Sequence, residues 1–195
     1  MMPRMTARSV AGTAASILVL LVCVGAVFAL RHYVPSPADV MRTPFVREAA
    51  FNESVSLRTY ELLARDVTVT KKVEMGSHTY VSPEVFVVVG LELSGGTTER
   101  KIGTIEAVSA SGLRYWALPE SRLCTVKPYE KNVRCDVAIE VARKDLPGLK
   151  LEVAAAREAT PETLDDVARL DLALSEDSPQ VTSPLEAYTV KSDRL

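Results

Sequence analysis

Histidine is almost absent, with His32 and His78 the only two in 195 residues. That scarcity removes most routes to acid–base catalysis near neutral pH and most zinc sites. Neither residue stands in a motif. His32 abuts the apolar run described below, and His78 lies in Gly76-Ser-His-Thr, which reads as a turn carrying a solvated imidazole. A Gly-x-Ser-x-Gly elbow and a phosphate-cradling glycine loop are both missing. Ser109 and Ser111, beside Gly112, read as turn formers. Asp165, Asp166, Asp171, Glu176 and Asp177 make the densest acidic stretch. Carboxylate oxygens suit calcium, yet no ligand spacing accompanies them, and a solvated acidic face is the simpler reading. The expectation is therefore no catalytic set, no cofactor and no metal. An envelope enzyme or metal-binding protein is the alternative, and it would need His78 to meet carboxylates from distant strands.

Cysteine is nearly as scarce. Cys23 falls inside the apolar run, leaving Cys124 and Cys135 as an even pair. With no Cys-x-x-Cys spacing and no histidine nearby, a disulfide is expected outside the cytoplasm, stapling the loop between two strands. Two unpaired thiols are the alternative. A lipoprotein anchored at Cys23 would want a small residue where Val22 stands, and the apolar run continues past it.

Acidic residues are wholly absent from the first thirty positions, whereas Arg4 and Arg8 stand there. The rest of the chain carries 21 basic against 25 acidic residues, a net of −4. So mild a charge gives no broad basic surface for nucleic acid and no polybasic collar for anionic lipid.

What is present is an uncharged apolar run from Val10 to Leu30. As a helix it would reach about 31 Å, matching a hydrocarbon core of about 30 Å. Ile17 to Leu30 contains neither charge nor proline, so its backbone can be satisfied within one helix. Arg4 and Arg8 orient it with the N-terminus cytoplasmic and the remainder across the membrane. Cleavage after Val27-Phe-Ala29, giving a secreted protein, is the competing reading. The domain plan that follows is a cytoplasmic tail (1–9), a transmembrane anchor (10–30), a stalk with Pro35, Pro37 and Pro44 (31–53), a β domain (54–175) and a flexible tail (176–195).

Period-two patterning dominates the middle. Ser54–Tyr60 and Val67–Thr70 alternate, and Val85 to Leu91 is a continuous branched run that predicts a central strand covered on both faces. Thr104–Val108 and Leu113–Leu118 flank a hairpin turn in which Gly112 takes a positive φ. Asp136–Val141, Leu149–Val153 and Leu170–Leu174 alternate in the same way. Thr160 and Pro161, with Leu164 and Val167, predict a short helical turn. Some seven short strands in one domain predict an all-β, antiparallel sandwich, with a closed barrel as the alternative. Tyr115 and Trp116 are adjacent, so on a strand they face opposite sides. Packing of both is the first expectation; the alternative keeps one in the core and gives the other to a partner-contact patch.

The order of these segments resembles the bacterial telokin-like domain of unknown function, an immunoglobulin-like extracytoplasmic fold. The resemblance spans 51–175. It is carried by Val85–Leu91, by Ser109-Ala-Ser-Gly-Leu-Arg-Tyr115, and by Val137–Val141 running into Asp145-Leu-Pro-Gly148 and Leu149-Lys-Leu. The sequence departs from the family at Ser109, which replaces an acid, and at Lys127-Pro-Tyr-Glu130, which replaces a Pro-Gly turn. The resemblance implies a tethered binding or accessory domain with no catalytic residues to carry over. The expected protein is a single-pass, membrane-anchored, non-catalytic module that meets a protein or envelope partner outside the cytoplasm.

Overall fold

The computed structural model describes residues 7–33, 45–97, 99–155 and 166–190. It divides into two units, Met1–Thr43 and Pro44–Leu195. The first holds one helix, α1 (Ala7–Tyr33). Its side chains are described over 17–29 and at 31, and all of them are exposed. Those from Ile17 to Ala29 are apolar or glycine, all round the helix. Among the described residues no helix is long and apolar enough to cross a membrane, since 17–29 alone spans only about 20 Å. Arg4 and residues 34–44 of the expected stalk lie outside the described residues. So do residues 191–195 and Thr160–Leu164 of the expected helical turn, but its Val167 lies on a strand, Asp166–Asp171, instead.

The second unit is a β-sandwich with eleven strands among the described residues: β1 (Phe45–Ala49), β2 (Val55–Ser56), β3 (Tyr60–Met75), β4 (His78–Gly95), β5 (Arg100–Val108), β6 (Arg114–Trp116), β7 (Thr125–Val126), β8 (Val133–Val141), β9 (Lys150–Ala155), β10 (Asp166–Asp171) and β11 (Tyr188–Thr189). One sheet runs β1-β10-β9-β5-β6, with β7 also paired to β5. The other runs β11-β3-β4-β8, with β2 also paired to β3. Most pairs are antiparallel, as the alternation predicts. Two edge pairs are parallel instead, β1 on β10 and β11 on β3. Their outer strands come from stretches assigned by sequence to the stalk and the tail, so the sheets draw on residues at both sides of 54–175. A four-residue helix, α2 (Pro179–Thr182), lies between β10 and β11.

The alternating strands meet face to face. Leu62, Val87, Val89 and Leu91 from one sheet pack with Ile105, Leu151, Val153 and Leu170 from the other, all essentially inaccessible. β4 is buried on both sides from Val85 to Leu91, as its unbroken apolar run predicts. Phe86 and Val88 turn the other way, joining Val73, Met75 and Ala138 in a second cluster on the outer face. Tyr80, Leu118, Tyr188 and Val190 cover that cluster. Gly90 interrupts the run for a reason: a Cβ there would stand 2.7 Å from the Asp66 carboxylate, beneath the Asp66–Arg134–Asp136 ion pairs.

The β5–β6 hairpin closes as expected. Gly112 has φ +85°. The Ser109 hydroxyl accepts the Leu113 amide at 3.0 Å, and the Ser109 carbonyl accepts the Gly112 amide at 2.9 Å. Both bonds fit the turn-forming role read for this serine.

Candidate functional site

Register across the first sheet sets five residues in one row on its outer face. Glu48 of β1 lies opposite Arg169 of β10, which lies opposite Glu152 of β9. Glu152 in turn faces Glu106 of β5, and Glu106 faces Trp116 of β6. Two glutamates directly opposite one another repel. Arg114, two residues before Trp116, resolves the conflict by donating to Glu106 Oε2 at 2.7 Å and to Glu152 Oε2 at 2.9 Å. Arg169 donates to the other Glu152 oxygen at 2.8 Å and reaches Glu48 Oε1 at 3.2 Å. The Glu106 and Glu152 side chains are only 10% exposed. Hydrogen bonds to Glu106 and to Glu152 hold the Arg114 and Arg169 guanidiniums, respectively, above their ordinary range. The row is thus a fixed, charge-paired ridge.

Beside it the same face is apolar. Val46, Val167 and Ala154, with Thr104, form the floor of an open pocket of about 110 Å3, and Arg114, Arg169, Glu106 and Glu152 complete its wall. At the end of the ridge Trp116 is 57% exposed. Tyr115 faces inward and packs against the main core. Its hydroxyl donates to Asp145 Oδ2 at 2.6 Å, a bond that raises the phenol above its usual range. The two aromatics therefore divide between core and surface, as adjacent strand residues must.

Cys124 and Cys135 form a disulfide with Cα atoms 6.0 Å apart. The bond does more than close the expected loop. The Cys124 carbonyl accepts the Ile102 amide of β5, whereas Cys135 is paired with Leu91 of β4. It therefore ties one sheet to the other. His78 opens β4 and is exposed, its ring 6.3 Å from that of Tyr80. It stands on the strand next to the turn. Tyr80 donates to Glu120 Oε1 at 2.6 Å, which raises the phenol and lowers the carboxyl.

The acidic stretch does not converge. Asp166 is buried on the inner side of β10, where it accepts the Arg58 amide at 3.0 Å. Asp171 caps the Ala173 amide at 2.8 Å, Glu176 and Asp177 are exposed, and Asp165 lies outside the described residues. Among the described residues no three histidine, cysteine, aspartate or glutamate side chains are placed to hold a metal ion. Cys23 is an exposed free thiol on α1.

Sequence reasoning missed the ridge. Alternation places Glu106 and Glu152 on the outward side of their strands, but only strand register shows that they face each other. Arg169 lies in a strand whose polarity hid it, and Glu48 in a stretch read as stalk.

No family model matches the chain, and no curated protein matches it. Three solved structures are similar to it. An uncharacterized β-sandwich protein from Clostridium difficile is 12% identical, with a TM-score of 0.43 over 67% of this chain and 96% of that one. The yjhA protein from Bacillus subtilis is 12% identical, with a TM-score of 0.47 over 63% of this chain and 99% of that one. The ycdA protein from the same organism is 10% identical, with a TM-score of 0.44 over 67% of this chain and 41% of that one. The description of this chain as a β-sandwich rests on its own sheet pairing.

Proposed function

We propose that this chain is a membrane-anchored, extracytoplasmic binding or accessory module that acts without catalysis. Its partner is a protein or another envelope component. The observation that carries the reading is Trp116, exposed at the end of a charge-paired ridge whose side chains wall a pocket with an apolar floor. A large amphipathic side chain on a preorganised face is what partner recognition uses. The first sheet supplies the face and the disulfide holds it to the second.

Support for the anchor is the uninterrupted apolar surface of α1 from Ile17 to Ala29, which water solvates poorly. Arg4 and Arg8 favour a cytoplasmic N-terminus. The Cys124–Cys135 bond fits an oxidising compartment. The chain passes from β4 to β5 in the other sheet, back to β8, and again to β9. That exchange is the Greek-key habit of immunoglobulin-like sandwiches and fits the telokin-like resemblance.

The test compares the wild-type chain and Trp116→Ala after mild detergent extraction from the native membrane. Partner recovered with the variant should fall at least about tenfold, while its thermal midpoint stays unchanged. Equal recovery would sink the binding reading. Alkaline carbonate treatment checks the anchor separately: the protein should stay in the membrane pellet, and release into the supernatant disproves retention.

A further inference from the structure

We propose that the edge of β3 from Val69 to Glu74 is a docking groove for an extended partner peptide, which the resting chain fills with its own residues 185–190. The occupant in place shows how the groove recognises a strand. The Leu185 amide donates to the Val69 carbonyl at 2.8 Å, the Leu185 carbonyl accepts the Lys71 amide at 3.0 Å, and the Val190 amide donates to the Glu74 carbonyl at 2.8 Å. Tyr188 is register-paired with Val73, and the segment runs parallel to β3. This is strand addition to a sheet edge, in which backbone bonds give affinity and alternate side chains give selectivity.

The side-chain pattern is equally defined. Tyr188 and Val190 lie on the outer cluster of Val73, Met75, Phe86, Val88 and Ala138. The Tyr188 hydroxyl donates to Asp136 Oδ2 at 3.1 Å, Thr189 Oγ1 donates to Glu74 Oε2 at 3.0 Å, and Glu186 pairs with Lys71 at 3.1 Å. A partner segment of the form acid-x-Tyr-Thr-branched, entering parallel to β3, reproduces every one of these contacts.

The resident strand is built to leave. Its regular strand is only Tyr188 and Thr189, with Leu185 bridged to Thr70 ahead of it, and pairing so short is marginal by itself. Leu185, Glu186, Ala187 and Thr189 are exposed. What it covers is not marginal: Val73, Met75 and Phe86 are almost inaccessible beneath it. Lifting the strand uncovers a preformed apolar site beside an open strand edge, which is a strong template for a new strand. A tethered occupant competes at high effective concentration, so the resting chain binds a free peptide weakly.

The test uses the full-length chain in detergent and a fluorescein-labelled synthetic peptide with the sequence of residues 183–191. Tyr188→Ala/Val190→Ala loosens the resident strand. That variant should bind the peptide at least about tenfold more tightly than the wild type, and a peptide with alanine at the tyrosine position should not bind it. A variant that melts cooperatively yet binds no peptide up to about 1 mM overturns the proposal. Should the variant not fold, hydrogen exchange on the wild type decides. Amides of 185–190 should exchange at least about tenfold faster than those of Val87–Leu91, and added unlabelled peptide should speed them further. Equal protection overturns the groove. A wild-type dimer that Tyr188→Ala converts to monomer would assign the groove to a second copy and overturn the partner assignment.

Discussion

Glu152 shows how one side chain fixes a surface. Both of its oxygens are taken, one by Arg114 and the other by Arg169. Removing it leaves two guanidiniums facing each other over an apolar floor, with Glu106 and Glu48 as their remaining ridge partners. Glu152→Ala should therefore lower stability by about 1–3 kcal/mol, toward the lower end because Arg114 is half exposed, as read by urea denaturation. Lys71→Ala removes an ion pair whose members are both open to water, and it should change stability by less than about 0.5 kcal/mol. If the two variants lose the same stability, the ridge is ornamental. That Tyr115 and Trp116 face opposite sides was legible in the sequence, because neighbours on a strand do; that Trp116 stays open to water was not, since packing of both is the first expectation. The partnership of Glu106, Glu152 and Arg114 was not, because register is set by pairing between residues that are tens of positions apart.

Among the elements, β4 and the β5–β6 hairpin were readable. Branched residues and Gly112 act locally and need no help from the rest of the chain. β1 and β11 were not readable, since neither alternates strongly and each is a strand only because a neighbour's open edge accepts it. β11 also carries a pH dependence. Hydrogen bonds from Lys72 and then Thr189 hold the Glu74 carboxyl below its ordinary range. A carboxyl lowered on folding contributes fully above the usual carboxylate range, and its contribution is lost as pH falls through the lowered value. Burial, followed by Asp136, raises the Tyr188 phenol. Its contribution is present below the ordinary tyrosine range and is lost as pH rises through the higher value. Exchange of the Val190 amide should thus be slowest between these limits and should accelerate toward either, relative to Val89 as an internal reference. A ratio that does not change with pH would contradict this attachment.

At the largest scale the disulfide is the covalent tie between the two sheets. Closing an eleven-residue separation contributes about 2–3 kcal/mol in the chain-entropy model. Cys124→Ser/Cys135→Ser should lower stability by about that amount in denaturant titration, and loss below about 0.5 kcal/mol would assign the bond a local role only. The pairing was legible from cysteine count and spacing; its passage from one sheet to the other was not, because β7 and β8 had to be placed first. The parallel edge at β1 has a mechanical consequence. From Phe45 to Ala49, five successive positions face Asp166 to Leu170 in the same direction. Tension that enters along the chain at Phe45 runs along these strands, so their cross-strand bonds must slide together instead of opening one by one. A domain held from its N-terminal end would meet a steady pull with its strongest geometry, and it would yield much more easily to a load that peels β1 sideways.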